Sequence, residues 1–152
     1  MVTDIIENKD YRNLIESQVY EVIEFLLSQN HEFSITANIK SVDFNPQVPN
    51  AISDSFQHFT LFTLSNYTYE SIQLTQDYIS FEAGFGSENF GSVVTVPLNG
   101  VFQIVLSESI LYLNPTATVE SFFEDEIIKD NVSQESRSMN AFKMNNSNKS
   151  LF

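Results

Sequence analysis

The sequence predicts a mainly β protein with one N-terminal α-helix, folded as a small antiparallel barrel or sandwich and followed by a disordered C-terminal tail. Apolar residues recur at helical spacing over about residues 10–28, and short stretches of alternating apolar and polar residues follow at intervals of about ten residues. This periodicity fades after residue 113. We therefore expect a folded domain over residues 1–113, and an acidic linker with a flexible, basic-tipped tail over residues 114–152.

The helix predicted over about residues 10–28 has an apolar arc that is wider than one core requires. Tyr11, Leu14, Ile15, Val19, Val22 and Leu26 form a stripe, and Tyr20, Ile23, Phe25 and Leu27 widen it on both sides. A symmetric helix-to-helix dimer would cover the excess. A helix that is buried deeply in its own domain is the alternative.

The strands follow in order, each with a period of two. Residues 33–39 alternate between apolar and polar side chains, and Asn45–Asn50 then interrupts regular structure with two prolines. A second strand is predicted over Phe56–Leu64, and residues 72–74 and 79–81 flank a tight hairpin turn. Residues 93–96 and 101–106 complete the set, with Pro97 starting a single helical turn between them.

Composition bounds the function. The 152 residues suit one domain, and the absence of Cys excludes a disulfide framework and a thiolate metal site. No apolar run approaches the roughly 20 residues of a membrane-spanning helix. The N-terminus lacks the basic region of a signal peptide, so we expect a soluble, cytoplasmic protein.

The charge of the chain is strongly negative and unevenly distributed. The formal net charge is −13, which disfavours binding to a phosphate backbone. Residues 1–135 contain all twenty acids and four bases, a charge of −16, whereas residues 136–152 contain three bases and no acid, a charge of +3. This split suggests a tail with its own partner, and a merely solubilising tail is the alternative.

No catalytic constellation is evident, and we expect no cofactor. Asp54, Ser55 and His58 lie close together in sequence, but a catalytic triad is defined by geometry, and no glycine elbow surrounds Ser55. A hydrolase that uses these three residues is kept as a hypothesis. A calcium loop starting at Asp43 is excluded because its sixth position is Val48 instead of Gly.

Seven segments follow one another in a characteristic order: the helix at Tyr20–Leu27, the pair Val48-Pro49, the strands Leu61–Leu64 and Ile72–Leu74, the glycine-ended run Ile79–Ser87, the Val94–Leu98 segment and the strand Val101–Val105. This order resembles the SspB family, the adaptors that hand tagged proteins to the ClpXP protease. The resemblance covers about residues 11–107. The chain departs from the family at Gly84, where arginine is common, and at its C-terminal end.

The resemblance implies an SspB-like or Sm-like fold that binds degradation-tag (ssrA-type) peptides and performs no chemistry. It implies a homodimer and a ClpX unfoldase partner, without a metal, nucleic acid or membrane. The implied peptide site is Ser65, Asn66, Tyr67, Glu82, Ala83, Gly84, Phe85 and Gly86. The implied dimer contact is Tyr20, Ile23 and Leu27, and the implied ClpX-docking tail residues are Lys143, Lys149, Leu151 and Phe152. An Sm-like structural or RNA-associated module without adaptor activity is the alternative.

Overall fold

A long N-terminal helix and two four-stranded antiparallel sheets form the main body of the protein. The computed structural model describes residues 2–123. The chain divides into two units, Met1–Val119 and Glu120–Phe152, and of the second unit the described residues 120–123 are helical. Residues 114–119, which the sequence assigned to the linker, lie in the first unit. The predicted ClpX-docking residues 143–152 lie outside the described residues.

The elements of the body follow one another closely. The helices are α1 (Val2–Ile6), α2 (Lys9–Ser28), α3 (Asn50–Ser53) and α4 (Asn66–Glu70). The strands are β1 (Phe33–Asn38), β2 (Asp43–Asn45), β3 (Phe59–Leu64), β4 (Gln73–Leu74), β5 (Tyr78–Phe85), β6 (Phe90–Pro97), β7 (Val101–Leu106) and β8 (Ser109–Leu113). Short 3-10 turns span Ile39–Ser41, Leu98–Gly100 and Pro115–Thr118. In the described residues, no helix combines the length and hydropathy that crossing a membrane requires.

Each sheet joins strands that are distant in sequence. The first sheet has the order β3-β1-β7-β8 and the second has the order β2-β6-β5-β4. All of the pairings are antiparallel. This mixed α/β arrangement is consistent with the small β-sandwich that the sequence predicted.

Aromatic side chains connect the two sheets across the core. Phe62 of β3 meets Phe81 of β5 edge to face, with ring centroids 5.7 Å apart. Phe44 of β2 stacks on Phe56 at 5.3 Å and meets Phe85 of β5 edge to face. Edge-to-face and offset-stacked pairs add to the free energy gained from apolar burial. The Phe-rich strands therefore hold the two sheets together.

Helix α2 begins where Asn8 caps it and packs one side on the core. The Asn8 side chain accepts a hydrogen bond from the Tyr11 backbone N–H at 3.0 Å, which satisfies one of the open donors of the first turn. The buried residues of the helix are Ile15, Val19, Ile23 and Leu26. Tyr20 and Leu27 are half-buried at the margins of this stripe.

The structure corrects the predicted dimer contact at Ile23. Its side chain is fully buried in its own protomer, so it has no surface left for a partner. Leu14 and Phe25 are the apolar side chains of α2 that face outward, and Phe25 is 61% exposed. The sequence misassigned Ile23 because helical periodicity identifies an apolar arc but not which part of it faces the core.

Two buried asparagines attach residues 114–118 to the rest of the first unit. Asn114 donates to the backbone oxygens of Asn99 and Val101 and accepts from the backbone N–H of Thr116. The Asn38 side chain donates to the Ala117 backbone oxygen at 2.9 Å. Buried amides with such partners avoid the cost of unsatisfied polar groups, so these bonds fix residues 114–118 on the body.

We predict that shortening Ile23 destabilises the protein. Ile23→Ala removes core packing and should lower the free energy of unfolding by about 2–5 kcal/mol in urea titrations. Ile5→Ala makes the same chemical change in helix α1, where Ile5 is 55% exposed, and should change stability by less than about 0.5 kcal/mol. Equal effects from the two substitutions would contradict the burial of Ile23.

Candidate functional site

Two adjoining cavities form a groove beside strand β5. The larger has a volume of about 420 Å³ and the smaller about 160 Å³, and both are lined by Thr68, Ala83 and Gly84. The larger cavity is completed by Asn45, Pro46, Tyr67, Glu82, Asn89, Gly91, Ser92 and Val93. The smaller is completed by Leu61, Phe62, Thr63, Phe81 and Phe85. We call the two cavities together the groove.

The smaller cavity lies between the edges of the two sheets. Strand β3 ends the first sheet and contributes Leu61, Phe62 and Thr63. Strand β4 is two residues long and pairs with Ser80 and Ile79 of β5. Within the described residues, β5 therefore has a strand partner on only one side, β6, from Phe81 to Phe85.

The open edge of β5 offers backbone hydrogen-bonding groups to a ligand. The Glu82 backbone N–H donates to the Ser71 hydroxyl oxygen at 2.8 Å, so this group points away from β6. Hydrogen-bonding direction alternates along an antiparallel strand, so Gly84, two residues further on, also directs its N–H and C=O away from β6. The backbone of Gly84 thus lies at the open edge and lines both cavities.

Small residues keep the groove open. At Gly84 a Cβ atom would collide with the Asn89 side-chain oxygen, so Asn89 can lie over this position only because it is glycine. Gly91 pairs with Gly84 across the β5–β6 ladder, and a Cβ atom there would meet nothing within 4 Å. On the opposite wall the Ser92 hydroxyl donates to the Pro46 backbone oxygen at 2.9 Å and holds that segment in place.

Tyr67 and Glu82 set the electrostatics of the groove. The Tyr67 hydroxyl donates to Glu82 Oε1 at 2.7 Å. This hydrogen bond, together with the negative charge of Glu82, raises the pKa of Tyr67 above its ordinary value. Among residues 2–123, Glu82 is the one charged side chain that lines the groove, so these residues give it a negative potential.

The structure brings together most of the peptide-site residues that the sequence predicted. Tyr67, Glu82, Ala83 and Gly84 line the larger cavity, and Phe85 lines the smaller.

The three other predicted residues lie outside the groove. Ser65 precedes helix α4, and Asn66 has a positive φ of 55° with its backbone N–H donating to Glu32 Oε2. Gly86 lies in the β5–β6 turn with a φ of 76°, which a side chain adopts only with strain. These residues shape the backbone beside the site.

Sequence reasoning missed the walls that other strands supply. Asn45 and Pro46 come from β2 and the loop after it, whereas Asn89, Gly91 and Val93 come from the β5–β6 turn and β6. Gly91 lies just before the strand predicted over residues 93–96, so the sequence offered no strand glycine there as a local signal for the groove.

The hydrolase hypothesis at Asp54, Ser55 and His58 stays a prediction, and two of its residues have other contacts in the structure. The Ser55 hydroxyl donates to the Ile52 backbone oxygen at 2.6 Å. His58 is exposed and its ring stacks on Phe59 with centroids 4.4 Å apart. Among residues 2–123 there is also no group of three or more His, Asp or Glu side chains that could hold a metal ion.

Comparison with known proteins assigns no family. No protein-family model matches the sequence, and no curated protein is significantly similar to it.

We predict that Glu82 controls the titration of Tyr67. Glu82→Ala removes both the hydrogen bond and the charge, so it should lower the pKa of Tyr67 toward its ordinary value of about 10. Because the folded pKa is raised, the Tyr67–Glu82 bond persists below that pKa and is lost as the pH rises through it. NMR of ring-labelled tyrosine measures the change.

The matched control for this experiment is Glu24→Ala. Tyr20 donates to Glu24 at 3.2 Å on helix α2, in a pair of the same chemistry outside the groove. Glu24→Ala should lower the raised pKa of Tyr20 and leave Tyr67 unchanged. A Tyr67 titration that is the same with and without Glu82 would contradict the assigned pair.

Proposed function

We propose that this protein is a non-enzymatic, SspB-like adaptor that binds degradation-tag (ssrA-type) peptides and delivers tagged proteins to the ClpXP protease. The observation that carries the peptide-binding part is the open backbone edge of β5 at Gly84, which lies in a groove lined by small, polar and apolar residues. The resemblance in segment order along the sequence supports the adaptor part.

The mechanism of binding is strand addition. An extended peptide lies along the open edge of β5 and exchanges main-chain hydrogen bonds with Gly84. These bonds supply affinity, and alternate side chains of the peptide enter the groove and supply specificity. The short strand β4 leaves the edge available, and the Ser71 hydroxyl already occupies the Glu82 N–H at one end of it.

Delivery then depends on tethering. The basic C-terminal segment, with Lys143, Lys149, Leu151 and Phe152, binds the ClpX unfoldase while the groove holds the tag. Two weak contacts on one molecule gain from effective concentration, and a homodimer doubles both. No bond is made or broken.

The proposed dimer uses the outer face of helix α2. Leu14 and Phe25 are exposed there, and half-buried Tyr20 and Leu27 lie at the margins of the buried stripe. Phe25→Asp should therefore give a monomer in sedimentation experiments with its unfolding transition retained. A protein that is already monomeric at tens of micromolar would contradict the dimer.

A substitution at Gly91 tests whether the groove is the peptide site. Gly91→Val adds a side chain into open space in a strand, where a β-branched residue is well accommodated, so stability should be retained. The same side chain occupies the groove, so affinity for a fluorescein-labelled ssrA-type peptide should fall by about tenfold or more. Anisotropy titrations measure the affinity.

Thr95→Val is the matched control. It places valine four residues further along β6, outside the lining of the groove, and should leave affinity unchanged. Unaltered affinity in the Gly91 variant would remove the groove from the peptide site. Titration with RNA in parallel tests the Sm-like, RNA-associated alternative, which the charge of −13 disfavours.

A deletion tests whether the folded domain and the C-terminal segment have separate roles. Deleting residues 136–152 should leave peptide affinity unchanged, because the groove is built from residues 45–93, and should abolish stimulation of ClpXP degradation of a tagged substrate. Scrambling residues 143–152 keeps their charge but changes their order. It therefore distinguishes recognition of a sequence motif by ClpX from attraction by charge alone. Full stimulation without the tail would contradict its docking role.

A further inference from the structure

The Tyr67–Glu82 pair is a prearranged feature of the groove wall. Tyr67 is on α4 and Glu82 is on β5, and the hydroxyl-to-carboxylate bond of 2.7 Å joins the two elements. A second bond joins them nearby, because Ser71, which ends α4, accepts from the Glu82 backbone N–H at 2.8 Å. Two bonds between the same elements hold the carboxylate in a fixed position, although Tyr67 remains 63% exposed.

The pair leaves an acceptor and an aromatic face for a ligand. The Tyr67 hydroxyl occupies Oε1 of Glu82, so Oε2 can accept another hydrogen bond. The exposed ring of Tyr67 lines the same cavity. An aromatic face next to a carboxylate is a favourable environment for an ammonium or guanidinium group, through cation–π attraction and a charge-assisted hydrogen bond.

The surrounding charges favour a cation over an anion. Of the lining residues in the part of the chain that the structure describes, Glu82 is the only acid and none is basic, and Glu70 on α4 adds negative potential at Tyr67. A carboxylate on the ligand would meet Glu82 with no compensating base. The open space over Gly91 provides room for the long aliphatic stem of a Lys or Arg side chain.

We propose that the groove selects extended peptides that place a Lys or Arg side chain against Tyr67 and Glu82. This specificity rests on the proposed function, since it requires that the groove bind peptides. It assigns Glu82 the role of the specificity-determining residue and Tyr67 that of the aromatic platform.

A charge scan of the ligand tests this inference. The probes are a fluorescein-labelled ssrA-type peptide and a randomised hexapeptide library, each with Arg, Gln or Glu fixed at one position in turn, titrated against the full chain. At one position Arg should bind about five- to tenfold more tightly than Gln, and Glu should bind most weakly. Glu82→Lys should reverse this order at that position.

Two variants separate the local effect from the charge of the whole protein. Glu24→Lys makes the same change in net charge on helix α2, outside the groove, and should leave the order of affinities unchanged. Tyr67→Ala should reduce the advantage of Arg over Gln, whereas Tyr67→Phe, which keeps the ring, should retain most of it. Urea unfolding of each variant verifies that it is folded.

The outcomes distinguish this inference from the proposed function. Binding of peptides with equal affinity for Arg, Gln and Glu at every position overturns the charge selectivity and leaves the groove as a peptide site. The same order of affinities with Glu82→Lys as with the unmodified protein also overturns it. If none of the probes binds, the proposed function and the selectivity are both overturned.

Discussion

The candidate site depends on one constraint: strand β5 extends beyond the end of its partner β4. Because β4 ends after two residues, β5 continues from Phe81 to Phe85 with, among residues 2–123, a sheet neighbour on one side only. An unpaired strand edge is normally covered, charged or kept short, since it can template pairing with another chain. Here the edge lies in the groove beside β3, and this position makes it the docking surface that we propose for a peptide.

Aromatic packing keeps that edge in place. The Phe62–Phe81 contact fixes the distance between the two sheets, and Phe85 packs against Phe44 and Phe56. Inward-facing residues of β5 are thereby anchored in the core, while Glu82 and Gly84 alternate outward to the groove. The period of two that makes a strand thus places Phe81 and Phe85 on one face of β5 and Glu82 and Gly84 on the other.

The sequence predicted the strongly periodic elements and the hairpin strand β4, and it missed β2, α4 and β8. Helix α2 and strands β1, β3, β5, β6 and β7 follow clear periods, so their existence was predictable. The three-residue β2 and the five-residue α4 are too short for a period to show, and β8, with exposed Ile110, Leu111 and Leu113, lacks alternation of burial. The orientation of α2 was unpredictable for a different reason: Ile23 and Phe25 are equally apolar, and only the position of the sheets decides which is buried.

About half of the candidate site was predictable from the sequence. Tyr67 and the run 82–85 were predicted through the resemblance in segment order, whereas Gly91 and Ser92 belong to the groove because the ladder pairs them with Gly84 and Ala83. Register is a property of the folded sheet and leaves little local trace in the sequence.

Amide hydrogen exchange at Gly84, followed by NMR with and without a bound ssrA-type peptide, tests strand addition most directly. If the peptide pairs with the open edge of β5, the Gly84 N–H should become strongly protected when the peptide is added. The Ala83 N–H, which lies in the β5–β6 ladder, should change little. Saturating peptide binding that leaves Gly84 exchange unchanged would contradict the account.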